Sequence, residues 1–115
     1  MTFGAMDKIT DHYRDVGKGW HKLLEQAHVE IQAVNPEYEV LQVKEKFGGL
    51  RLYLMASREG QDIAHKYEQK SYEVCEFCGK PGSLDQSHFW LNTLCDEHKE
   101  RRNTYHHGDK ADENA

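Results

Sequence analysis

The chain is short of what a self-sufficient core uses. Leu, Ile, Val and Phe together number 22 of 115 residues, about 19%, near the level below which a chain buries too little apolar surface to fold unaided. No apolar run approaches the roughly 20 residues that span a bilayer, which excludes a transmembrane helix. Prolines are only two, Pro36 and Pro81, so breaks between elements have to be read from glycine and periodicity. Cysteines are three, an odd number that cannot close a set of disulfides, and Met1 to Asp7 lacks the basic start and apolar run of a secretion signal. A reducing cytoplasm is the expected location.

Several catalytic signatures are also missing. There is no G-x-S-x-G elbow and no phosphate-cradling glycine loop, and Glu37, Glu39 and Glu45 lie along a strand pattern without a partner acid. With 15 Lys+Arg against 20 Asp+Glu the net charge is −5. That balance disfavours nucleic acid as a bulk partner but leaves room for a local basic patch.

Helical periodicity appears first. Trp20, Leu23, Leu24, Ala27, Ile31 and Val34 recur at the spacing of one helix face after Gly17-Lys18-Gly19, and Asn35-Pro36 ends the pattern, which predicts a helix over 19–34. From Tyr38 to Met55 the period becomes two, with Gly48-Gly49 between two extended runs, the chemistry of a two-residue hairpin turn. The expected register sets Phe47 opposite Leu50, Glu45 opposite Leu52, Val43 opposite Leu54 and Leu41 opposite Ala56, an apolar side to pack on the helix. The other side pairs Lys46 with Arg51, Lys44 with Tyr53 and Gln42 with Met55. Lysines on a strand guard its edge against aggregation, and the same cations with Tyr53 form a seat for phosphate, a carboxylate or an acidic partner. Ser57 caps a second helix reaching about Tyr72, with Ile63, Ala64, Tyr67 and Val74 inward and Glu68 and Lys70 wet.

The most specific signal is Cys75-x2-Cys78-x16-Cys95-x2-His98. Two close donor pairs separated by a returning loop are what a tetrahedral ion needs, and thiolate with imidazole suits zinc better than magnesium or calcium. All three cysteines are used, so none is left as a nucleophile. A closed Cys3His set is structural: it has no water to activate, and it supplies folding free energy on the order of 10 kcal/mol in isolated zinc-finger peptides. One Zn2+ per chain would be the staple that the sparse core lacks.

Gly79 permits the tight turn of a zinc knuckle, residues 83–94 read as a short hairpin, and Asp96 and Glu97 followed by Lys99, Arg101 and Arg102 fit a helix whose charges complement its dipole. Knuckle, hairpin and ligand-bearing helix make a treble-clef-like order, with a plain zinc ribbon as the alternative. Treble clefs include the HNH nucleases, and Ser87-His88 with Asn92 and His98 superficially matches that motif. Only three residues separate His88 from Asn92, too few for the loop that returns the asparagine, and His98 is spent on the metal. Asn103 as a helical ligand has no carboxylate set behind it. The expectation is no catalytic residue, with His88 at the surface and Trp90 packed over the metal site.

Val43-Lys-Glu-Lys-Phe-Gly-Gly-Leu-Arg-Leu-Tyr53, Cys75-Glu-Phe-Cys-Gly-Lys-Pro-Gly82 and Trp90-Leu-Asn-Thr-Leu-Cys-Asp-Glu-His98 resemble a group of small, uncharacterised phage and prophage proteins. They share a Lys-Glu-Lys-Phe-Gly-Gly-Leu-Arg-aromatic core and a C-terminal zinc-ligand set. The resemblance spans residues 16–100 and implies a phage-encoded protein acting in the host cytoplasm, with no activity attached.

The expected architecture is thus α+β: a helix packed on a two-stranded hairpin plus a second helix (1–72), fused to a small treble-clef-like zinc module (73–105), with a disordered tail at 106–115 that holds His106-His107. The expected function is a non-enzymatic zinc-stabilised binding protein that contacts a host or phage macromolecule, extending to modulation of a host nucleic-acid or defence system. A protein partner is favoured over nucleic acid, with neither a membrane nor a small-molecule substrate. Candidate contact residues are Lys44, Lys46, Arg51, Tyr53, Phe89, Trp90, Arg101 and Arg102; nucleic-acid binding through the basic hairpin face is the alternative.

Overall fold

The computed structural model describes residues 7–102; the tail, with His106 and His107, and the end of the expected zinc module from Asn103 lie outside the described residues. The elements are α1 (His21–Val34), β1 (Glu39–Lys46), β2 (Gly49–Met55), α2 (Arg58–Lys70), β3 (Ser83–Asp85), β4 (Asn92–Leu94) and a terminal helix α3 covering 96–102. The chain is α+β, with a two-stranded antiparallel hairpin and a second, smaller one. No helix among the described residues is long and apolar enough to cross a membrane.

Helix α1 follows its periodicity. Leu23, Leu24, Ala27 and Ile31 are buried, while Val34, expected inward, is exposed at the last position of the helix. Asn35 ends the helix with its N–H on the Ile31 carbonyl (2.8 Å), and its side-chain oxygen accepts the Ser57 N–H (2.6 Å). One asparagine therefore ties the end of α1 to the start of α2, where Ser57 Oγ caps the Gly60 N–H (3.1 Å).

The hairpin keeps its expected faces but not its register. Glu45 lies opposite Leu50, Val43 opposite Leu52, Lys44 opposite Arg51, Lys46 opposite Gly49 and Gln42 opposite Tyr53. The turn is Phe47-Gly48, both at positive φ (55° and 83°), the twist that suits a two-residue loop. It displaces the expected Gly48-Gly49 turn because Glu45 Oε2 accepts the Gly48 N–H (2.7 Å) and Thr93 Oγ1 donates to the Gly48 carbonyl (2.7 Å). The two-residue shift preserves parity, so Val43, Leu50, Leu52 and Leu54 still face inward. Phe47 leaves the apolar side for the turn, and an irregularity between Val40 and Gln42 turns Val40 inward and leaves Leu41 64% exposed.

Helix α2 closes the free edge of β2 with side chains. Ser71 Oγ accepts the Leu50 N–H (2.9 Å), Glu68 Oε2 the Leu52 N–H (2.8 Å), and Gln61 Nε2 donates to the Leu54 carbonyl (2.9 Å). Glu68, expected to be wet, is half-buried for this reason. The strand edge that would otherwise invite pairing is thereby satisfied.

A segment without periodicity joins the core from the N-terminal side. Ile9 is fully buried, as is Tyr38. The Tyr38 hydroxyl accepts the Ile9 N–H (2.9 Å) and lies 2.6 Å from His28 Nδ1. Three 3-10 turns, Ile9–Asp11, Tyr13–Asp15 and Lys18–Trp20, lead from there into α1.

Phe47 in the left-handed region carries a conformational cost of about 1 kcal/mol that asparagine largely avoids. Phe47→Asn should raise unfolding free energy by up to about 1 kcal/mol, read as a higher urea midpoint at unchanged slope. Tyr67 provides a pH readout. Burial, then its hydrogen bond to Glu30, pushes the hydroxyl from 10 up to about 12. A raised folded value means the stabilisation is complete below pH 10 and lost as pH climbs through about 12. The urea midpoint should fall across that window, and Tyr67→Phe should flatten the fall.

Candidate metal centre

The donors come from two short structures that the backbone holds side by side. Cys75 and Cys78 sit on a knuckle: the Cys75 N–H donates to the Lys80 carbonyl (2.8 Å) and the Gly79 N–H to the Cys75 carbonyl (2.9 Å), with Gly79 at φ 83°. Cys95 and His98 flank the first turn of α3, where the Lys99 N–H reaches the Cys95 carbonyl (2.9 Å). Glu76 laces the two together. Its N–H donates to the Thr93 carbonyl (3.0 Å), and its carboxylate accepts from Thr93 N (2.8 Å) and Asn92 Nδ2 (2.9 Å). Burial pushes this carboxyl up from its ordinary value, against those two donors.

The four donor atoms lie within 4.8 Å of one another. Cys78 Sγ is 3.7 Å from Cys95 Sγ, and His98 Nδ1 is 3.5 Å from Cys75 Sγ and 3.2 Å from Cys95 Sγ. Bonds of about 2.3 Å to sulfur and 2.0 Å to nitrogen in a tetrahedron require edges of about 3.8 Å between sulfurs and 3.5 Å between sulfur and nitrogen. The residues fit a four-coordinate ion of that size, and the imidazole would bind through Nδ1. Cys75 and Cys95 are buried, Cys78 is exposed and His98 intermediate. The His98 backbone N–H, outweighing burial, pulls the Cys95 thiol down to about 6. At Cys78 the Lys80 N–H favours the thiolate, but desolvation and the neighbouring sulfurs leave the thiol above its ordinary value.

Around the cluster, the Phe77 ring stands 5.5 Å from the His98 ring. Trp90, expected over the metal site, is instead 65% exposed on the β3–β4 loop. Among the described residues the cluster's own apolar core is Cys75, Leu94 and Cys95, so it leans on the larger core. Gly19 makes this contact: its N–H donates to the Glu76 carbonyl (2.9 Å), and a Cβ there would come within 2.0 Å of the Cys75 carbonyl oxygen. Trp20, fully buried, donates its indole N–H to the Val74 carbonyl (2.8 Å).

The other sequence candidates separate into two groups. Arg101 pairs with Glu97 (3.1 Å). Arg102 is drawn inward, pairing with Asp85 (3.0 Å) and donating to the Trp90 carbonyl. Burial opposes the Asp85 carboxylate, but Ser87, Arg102 and His88 hold its carboxyl below the ordinary value. Lys44, Lys46, Arg51 and Tyr53 share the outer ribbon face. Phe89 is 99% exposed, and a slot of about 510 Å3 is lined by Glu45, Lys46, Phe47, Phe89, Trp90 and Leu91. Phe47 and Leu91 escaped sequence reasoning, since only the true register carries Phe47 to the tip. Of the HNH-like set, Asn92 is engaged by Glu76, and Asn103 lies outside the described residues.

Cobalt titration should give one equivalent of tetrahedral thiolate-type absorption per chain. Cys78→Ser should weaken or abolish that signal and loosen residues 73–102, measured by amide exchange; a fully folded variant with undiminished absorption would count against the site. No family model, no curated protein and no solved structure matches the chain.

Proposed function

We propose that the chain is a zinc-stabilised, non-enzymatic binding protein of phage or prophage origin, acting in the host cytoplasm by contact with a host or phage macromolecule. The observation that carries this reading is the separation of two features. Four converging protein donors fill a tetrahedral shell and leave no position for a substrate or an activated water, while the exposed aromatics lie elsewhere. Zinc is favoured over other ions by the three thiolates and one imidazole. The sequence of knuckle, β3–β4 hairpin and α3 supports a treble-clef assignment. Phage origin rests on the Lys44-Glu-Lys-Phe-Gly-Gly-Leu-Arg51 core together with the ligand spacing.

Exposed Trp90 and Phe89 have the character of anchors that dominate binding energy at interfaces. Elemental analysis of protein purified without added metal should return one zinc per chain. A macromolecule captured from host lysate and then purified should bind the wild type at least about tenfold more tightly than Trp90→Ala, with zinc content equal in both. Equal binding by the two proteins, or a stably folded chain without metal, would overturn the proposal.

A further inference from the structure

We infer that the slot at the hairpin tip and the cationic ribbon face beside it form one continuous seat for single-stranded nucleic acid. This rests on the binding-protein reading and names its partner class. The slot has Phe47 on one wall and Phe89, Trp90 and Leu91 on the other. Its volume of about 510 Å3 falls in the range of ligand-sized sites. Phe47, Trp90 and Phe89 are 65%, 65% and 99% exposed, a large aromatic area for a chain so poor in core residues.

Cations continue from the slot along the outer face of the ribbon. Lys46 Nζ lies 5.7 Å from the Phe47 ring centroid and Lys44 Nζ 6.0 Å from that of Tyr53, with Arg51 directly across from Lys44. Like charges facing each other across a ribbon are unfavourable, and among the described residues none of these three makes an ion pair. In a chain of net charge −5, this positive cluster, with Lys46 exposed and Lys44 and Arg51 half-buried, is complementary to an anion. Glu45, the one carboxylate at the slot among the described residues, is turned onto the Gly48 N–H.

Alternation of ring and cation distinguishes the occupant. Alternate residues on a strand recur every ~7 Å, so Lys44 and Lys46 can follow successive phosphates of an extended strand while bases stack on Phe47, Trp90 and Phe89, as on single-strand platforms generally. An acidic peptide would satisfy the cations without a reason for three rings around one slot. A duplex needs a broader positive surface than three side chains offer.

The test uses the full zinc-loaded chain and a labelled oligothymidylate of about twelve nucleotides. Anisotropy should show saturable binding, and tryptophan emission should be quenched; Trp20 is fully buried, so the quenching reports Trp90. With three phosphate contacts, affinity should fall about twentyfold between about 50 and about 200 mM salt. Trp90→Ala and Phe89→Ala, both at exposed positions, should each weaken binding by about fivefold or more with circular dichroism unchanged, and Lys44→Gln with Arg51→Gln should flatten the salt slope. Absent oligonucleotide binding, or binding indifferent to both aromatic changes, overturns the inference. So does tighter, Trp90-dependent binding of a polyglutamate probe, which would assign the seat to an acidic protein. If the oligonucleotide fails while a purified partner still depends on Trp90, the binding-protein reading stands and the nucleic-acid seat alone is lost.

Discussion

The rest of the molecule depends on a backbone approach at Gly19. There α1's entry meets the knuckle so closely that no side chain fits between them, and the Gly19 N–H to Glu76 carbonyl bond with the Trp20 indole to Val74 bond closes the seam. On one side lies a core of helices and ribbon; on the other, Leu94 packed with the buried donors Cys75 and Cys95. The smaller side has too little apolar surface to stand alone. Its order comes from the hydrogen bonds of Glu76 and from being pressed onto Trp20, and an ion on the four donors would add to it.

Glu76 shows how few groups hold the second half together. A buried carboxylate costs free energy unless its lone pairs are used, and here they secure Asn92 and Thr93, the start of the strand that leads directly to Cys95. Arg102 with Asp85 performs a similar task from the other end, both side chains largely buried. These polar contacts replace the hydrophobic packing that a richer sequence would have supplied.

What could be read from the sequence followed the strength of local signals. Ligand spacing brought Cys75, Cys78, Cys95 and His98 together without any tertiary reasoning, and α1 and α2 announced themselves by period. The ribbon's faces were legible because parity is local, but its register was not. Consecutive glycines at 48 and 49 permit either turn, and the observed one is held by Glu45 together with Thr93, the latter 45 residues away. The bulge at Leu41 and the 3-10 turns from Ile9 carry no periodic mark. Trp90 was misplaced because an aromatic near metal ligands has no sequence sign for whether it faces the ion or the solvent, and Phe77 took the place beside His98.

The Thr93 to Gly48 hydrogen bond has a further consequence. One wall of the aromatic slot belongs to the first ribbon and the other to the loop between β3 and β4, and this single bond lies where the two hairpins meet. Thr93 is two residues before Cys95, so the short strand that leads to one donor also holds the hairpin tip beside the slot. A substitution that displaced β4 would therefore disturb the donor cluster and the aromatic slot together.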